Sequence, residues 1–356
     1  MGAFEQFSTE STSSRALYVE HDPKRNYVMQ WNLSVARELS STLAVTVGYV
    51  GSRGIHQPYR MDNIDMVLPT LTGAGYVFPA ASTSHTLNPH YGRISSTLWQ
   101  ANSFYDALQV DVSKRVSHGF EFHGAYTWGR SIDTLSATEV DDAFPNGLFN
   151  QLFFDQRTSR GLSDFNVAQD FVVSFTWEMP GSASSSRLSN WALGGWQLGG
   201  LYKASSGQPF TPILGGDPVG MKLDETSEPP DRLGGPGCHV LTNTGNPNHY
   251  IKTQCLAFPV PSNRRGNLGR NILIGPGLSK LDFSVFKNNH VRRISESFNV
   301  QFRGEFFNIL NRTNFASPTD NLTVFDQSGN TVPGAGLITS TQTTSRQIQF
   351  ALKLIW

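Results

Sequence analysis

Long apolar runs are missing from this 356-residue chain. A membrane helix needs roughly 18 of them in succession. The best candidate, "STLAVTVGYVG" (41–51), is too short and is interrupted by Thr and Gly. Charge is also scarce: Asp, Glu, Lys and Arg make up 16%, and 28 basic residues balance 28 acidic ones. That neutrality excludes a protein that grips nucleic acid through a broad basic surface. Only two cysteines occur, Cys238 and Cys255, 17 positions apart in a loop-like region. They suit one local disulfide formed in an oxidising compartment, with two unpaired thiols as the alternative. With His239 and His249 they lack the spacing of a zinc site. The opening "MGAFEQFSTESTSSRA" has no basic start followed by an apolar core, so either the protein stays in the cytosol or its true N-terminus lies elsewhere.

The usual marks of catalysis are absent as well. No G-x-S-x-G nucleophile turn occurs, and the nine histidines show no H-x-x-x-H spacing. No carboxylate pair is singled out by its surroundings. "GGPGCH" (234–239) superficially looks like a phosphate-cradling turn but lacks the Lys-Ser/Thr ending and the helix that follow in one. Glu139, Asp141 and Asp142 cluster in one loop, where carboxylates suit either Ca²⁺ or plain solvent. Arg292 and Arg293 sit in a short turn. These features predict no enzyme and no cofactor.

What is present is period-two alternation, repeated along the chain. Tyr27, Met29, Trp31, Leu33 and Val35 alternate with Gln30, Asn32 and Ser34. The same pattern runs through 42–52, 105–115, 119–130, 170–178, 194–203, 279–289, 297–308 and 345–356. It predicts about nine strands of roughly ten residues, the length of a tilted membrane-crossing strand. The 33 glycines and 19 prolines suit the turns between them. Connections alternate strictly. Short ones fall at 38–41, 116–118, 180–190 and 289–294, and long ones at 54–101, 131–164, 208–277 and 311–345. An outer-membrane barrel has this asymmetry, with short periplasmic turns and long extracellular loops.

Orientation follows from the aromatics. In a soluble sheet the apolar face is inside; in a wide barrel it meets lipid and the polar face lines a wet lumen. Tyr27, Trp128, Trp177, Trp196 and Trp356 fall near strand ends on the apolar face, where amphipathic rings form a girdle at headgroup depth. A soluble multi-sheet protein with an aromatic core is the alternative. The last residues, "SRQIQFALKLIW", alternate up to the terminal Trp356. In a closed barrel such a strand pairs with the first one, because an unpaired edge in lipid leaves backbone groups unsatisfied. A terminal strand of this kind also suits recognition by the barrel-assembly machinery.

Five segments carry a family resemblance: 26–54, "NSFYDALQVDVSKRVSHGFEFHGAYTWGRSID" (102–133), "GGWQLGGLYKASSGQPF" (194–210), "GNLGRNILIGPGLSKLDFSVFKN" (266–288) and "FNVQFRGEFFNILNRTNFASP" (298–318). Together they resemble the C-terminal barrel of TonB-dependent outer-membrane transporters, most closely the Oar-like group. The resemblance implies a 22-stranded barrel plugged by a separate N-terminal domain that contacts TonB. No plug is visible here, and about nine strands do not close such a barrel. The expectation is therefore the C-terminal portion of a transporter: residues 25–356 form barrel, residues 1–24 form an outer-loop remnant, and TonB engages only through a plug supplied by missing sequence. Its ligand is unknown. A surface adhesion or structural barrel, and a soluble carbohydrate-binding protein or enzyme, are the competing classes.

Overall fold

In the computed structural model, residues 15–61, 63–80, 85–136, 152–180, 191–222, 228–291, 293–295 and 297–356 are described. Nine long strands form one antiparallel path in chain order. They are β1 (Tyr27–Ser40), β2 (Leu43–Met61), β3 (Arg93–Ser117), β4 (Phe120–Asp133), β5 (Gln169–Glu178), β6 (Trp196–Ser205), β7 (Leu278–His290), β8 (Asn299–Phe307) and β9 (Gln347–Ile355). Each pairs with the next, as an all-β meander does. The expected alternation of short and long connections is reproduced at every step.

The registers show why this sequence makes a two-faced sheet. Directly opposed residues in antiparallel strands point to the same side. One row runs Val35, Val47, Val110, Tyr126, Phe171 and Ala204 across six strands. Another runs Phe122, Phe175, Gly200, Phe283, Phe306 and Ile348. The intervening rows are polar: Ser34, Gly48, Gln109, Thr127 and Asp170 in one, and Thr176, Gly199, Ser284, Glu305 and Gln349 in another. Many of the apolar side chains are exposed, including Leu33, Val35, Trp128, Phe350 and Leu352. Among the described residues no second sheet covers them. The apolar face therefore looks outward to hydrocarbon, and the polar face borders an aqueous interior.

Local chemistry fixes the periplasmic turns. His118 and Gly119 both have positive φ, 54° and 75°, the conformation of a two-residue hairpin turn whose twist matches its strands. A side chain at Gly119 would meet the Glu178 carbonyl of β5, so this turn is pressed against its neighbour.

One feature departs from expectation: β2 and β3 are longer than ten residues and shorten the loop expected at 54–101. Pairing continues to Met61↔Ser96 after register shifts around Gly54 and Gln57, where His56 adopts φ 51°. The bulge breaks the period of two, and the periodic pattern stops at that point even though the ladder goes on. Arg15–Val19 adds a further short strand, parallel to Arg93–Thr97. In keeping with the expectation that nine strands do not close a barrel, the last strand does not pair with the first. Among the described residues, β9 pairs with β8 alone, β1 with β2 alone, and the sheet is open at both edges. These nine strands do not bring β1 and β9 into pairing.

The dry core lies in the outer connections, not under the sheet. One cluster joins Phe210, Leu214, Tyr250, Leu273, Val324 and Ile338 from the last two long loops. A second joins Met66, Val67, Phe78, Leu152, Val219 and Met221 from three loops. The loops thus form a folded cap on the extracellular rim. Glycines allow its closest approaches: a side chain at Gly207 would collide with the Gly275 carbonyl, and one at Gly266 with that of Pro229.

Candidate functional site

The inner wall and the cap above it together form the candidate site. Along the wall, side chains bond to one another within and between strands. His123 Nε2 lies 2.6 Å from Asp111 Oδ2. Lys280 donates to Asp282 at 2.8 Å and sits opposite Lys203 in the ladder. Asn299 and Gln301 both donate to Asn288 Oδ1, at 2.9 and 2.8 Å, and Arg303 Nε donates to Gln301 at 2.5 Å. Asn32, Ser34, Thr46, Gln109, Asp111 and Thr127 border one hollow on this wall. A surface of donors and acceptors with both charge signs offers hydrogen bonds to a polar solute. It shows no converging nucleophile and base.

Above it, a buried ionic clasp ties the cap to the sheet. Arg270, 8% exposed, donates through Nη1 to Asp133 Oδ1 at 2.7 Å and the Ser159 carbonyl at 3.1 Å. Its Nη2 donates to Ser136 at 2.6 Å and Asp164 at 2.8 Å. Next to it, Asn271 Nδ2 donates to Asp164 at 2.5 Å and to the Leu162 carbonyl at 2.7 Å. The Thr211 hydroxyl accepts from the Asn271 amide at 2.6 Å. Three chain segments far apart in sequence meet at this guanidinium. Sequence reasoning missed the clasp, although "GNLGRNIL" and "GRSID" both lie in the segments that carry the family resemblance. Nothing local in either segment marks Arg270 and Asp133 as partners.

Other cap groups are shifted by their surroundings. Burial raises the Glu228 carboxyl, against which Arg265 sits at 3.2 Å. Burial also raises the Tyr250 hydroxyl to about 12; it donates to the Ile274 carbonyl at 2.9 Å. The Arg157 side chain, joined by the Tyr76 hydroxyl at 2.7 Å, holds the Asp155 carboxyl down from 3.8 to about 2. A depressed carboxyl stabilises the fold above its unfolded value and loses that contribution as pH falls through the folded one. Proteolysis of the outer loops should therefore accelerate between about pH 4 and pH 2, and D155N should flatten the response in that window.

The residues singled out in the sequence are placed as follows. Cys238 and Cys255 are joined, with Cα atoms 5.4 Å apart, and Cys255 lies in the larger cap core. "GGPGCH" is not a phosphate cradle: Arg232 donates to the Cys238 and His239 carbonyls at 3.4 and 3.1 Å, and Lys252 to that of Gly237 at 3.2 Å. The turn faces cations with its oxygens. Tyr27, Trp128 and Trp356 are exposed on the outer face, while Trp177 and Trp196 are half-buried at the periplasmic ends of β5 and β6. The two belts are separated by about 26 Å of strand between Phe120 and Trp128, at roughly 3.3 Å per residue. A tilt of about 40° turns that into about 20 Å of height, close to the apolar band of such barrels. Glu139, Asp141, Asp142 and Arg292 lie outside the described residues. Among the described residues no group of three His, Cys, Asp or Glu side chains converges as a metal site.

Residues 3–349 match the family model described as "Outer membrane beta barrel domain". The chain belongs to that family. With the outward apolar face, this places the protein in the outer membrane. Two solved structures are similar to it. The outer membrane transporter YddB from Escherichia coli is 9% identical, with a TM-score of 0.46, over 97% of this chain and 34% of that one. The FrpB iron transporter from Neisseria meningitidis (F3-3 variant) is 10% identical, with a TM-score of 0.39, over 94% and 32%. The chain spans about a third of the length of each. No curated protein matches it.

Proposed function

We propose that this outer-membrane chain is the C-terminal part of a TonB-dependent, Oar-like transporter barrel that takes up a polar ligand. Residues 25–356 supply nine of its strands; of the outer-loop remnant expected at 1–24, residues 1–14 lie outside the described residues and Arg15–Val19 form the short parallel strand. The observation that carries the reading is the pair of unpaired edges on a sheet with one lipid face and one wet face. In hydrocarbon each unsatisfied backbone group costs several kcal/mol, so β1 and β9 need further strands. Bacterial single-chain barrels have even strand numbers, and a barrel of the 22-stranded transporter size has a lumen wide enough to hold a plug. TonB engages this barrel only where a plug is supplied by further sequence. β9, with Trp356 directly after it, is the segment offered to the barrel-assembly machinery. Tyr27, Trp128, Trp177, Trp196 and Trp356 sit at the two headgroup levels. The ligand meets the cap first and the polar wall next.

The test is to complete the chain with the coding sequence upstream of Met1 and to ask whether purified TonB periplasmic domain captures the product. Capture that disappears when the segment preceding the barrel is deleted supports import. A completed chain that closes its barrel with no plug and ignores TonB overturns import. A surface adhesion role is the second reading, favoured by the cap's own hydrophobic cores, and that outcome would select it.

A further inference from the structure

The polar wall is interrupted where an aqueous lumen gives no reason for it. Strand residues alternate between faces, so Leu201 of β6, Phe286 of β7 and Phe307 of β8 share the inner face with Ser284 and Glu305. Apolar surface left toward water marks a binding surface, and Leu201 is 44% exposed. All three border one hollow, floored by Gly199. Thr176 and Ser284 flank Gly199 in the ladder, and a side chain at Gly199 would collide with the Ser284 hydroxyl. The hollow therefore depends on glycine at that point.

Each ring carries a cation that is already engaged. The Arg303 guanidinium lies 5.3 Å from the centre of the Phe286 ring and donates to Gln301. The Lys280 ammonium lies 5.9 Å from the centre of the Phe307 ring and donates to Asp282. Both rings are half-buried, so part of each still faces the lumen. Gln197, Thr176, Ser284 and Glu305 border the same hollow. Among the described residues none of these four side chains has a hydrogen-bond or ion-pair partner.

Spacing and charge narrow the ligand. Phe286 is opposed to Arg303, and Phe307 lies four residues beyond Arg303 toward the outer rim, a separation of about 13 Å at roughly 3.3 Å per residue. The rings thus succeed one another down the wall beneath the cap. Lys280 and Arg303 offset Asp282 and Glu305, so the hollow favours neither an anion nor a cation. Apolar rings in line, bordered by unspent hydroxyl, amide and carboxylate groups, suit an elongated uncharged molecule with apolar faces and many hydroxyls.

We propose that Phe307 and Phe286 are successive platforms of a track for a neutral oligosaccharide. The C–H faces of its sugar rings stack on the two phenylalanines, Leu201 lies alongside, and Glu305, Gln197, Thr176 and Ser284 bond its hydroxyls. The proposal rests on the reading of this wall as the ligand's path and names the class of that ligand.

The test offers the chain, extracted from outer membranes in mild detergent, to an array of short and long neutral oligosaccharides of glucose, galactose, mannose and xylose. At least one series should bind, more tightly once the sugar is long enough to span both rings. F286A and F307A should each weaken that binding about tenfold, the scale of a lost aromatic stacking contact. If the alanine variants fail to accumulate, F286L and F307L carry the test, since they keep an apolar side chain of similar size and lose only the flat ring. F302L, on the lipid face opposite Lys287, should bind as the parent does. An array on which no neutral oligosaccharide binds overturns the proposal. So does parental affinity in both leucine variants, or equal loss in F302L. Binding is read without TonB, so a completed chain that ignores TonB but binds the sugar through both rings would remove the import reading alone.

Discussion

Replacing Arg270 by alanine should cost about 3–5 kcal/mol of cap stability, because it strands two buried carboxylates without a counter-charge. Asp133 and Asp164 are 2% and 4% exposed at their side chains, so water does not reach them in place of the guanidinium. The loss should appear as rapid cleavage of the outer loops by protease added to intact cells, while the sheet stays in the membrane. Arg270→Lys should restore part of the stability: it keeps the charge but cannot reach Asp133, Ser136, Ser159 and Asp164 together from a single ammonium. Cleavage at the parental rate in the alanine variant would mean that the apolar clusters alone hold the cap.

Placing arginine at Val112 should destabilise the sheet by about 2–4 kcal/mol, the cost of a cation at mid-depth on a lipid face. Val112 is opposed to Val45 and Gly124, and Gly124 lies halfway along β4 between Phe120 and Trp128. The neighbouring Ser113→Arg puts the same charge on the polar wall beside His123 and should be nearly neutral. Protease-resistant protein in the outer-membrane fraction measures both. The contrast between adjacent positions is the sharpest check on which way the sheet faces. Equal behaviour of the two variants would remove the membrane reading of the apolar rows.

The difference between those two neighbours also shows how much could be read without a structure. Period-two patterning assigns Val112 and Ser113 to opposite faces from their spacing alone, because successive strand residues always diverge. The parity of turn lengths then orients every hairpin. The strands of the membrane sheet were legible for this reason. Beyond the Gly54–Gln57 bulge the signal failed, since one extra residue shifts the alternation while the hydrogen-bonded ladder continues. The cap was illegible for a different reason. Its contacts join Arg270 to Asp133 and Phe210 to Leu273, across separations where no local period exists.

Sequence by itself determined the strand order, the two faces of the sheet and the side of the membrane that each connection occupies. These follow from backbone geometry repeated residue by residue, which a one-dimensional pattern records faithfully. Only the tertiary structure decided that the extracellular connections fold into a clasped, disulfide-joined cap, and that Arg53 and Arg160 both lie over the Phe104 ring. Each of these depends on side chains or strands brought together by the whole fold, and such encounters leave no period in the chain.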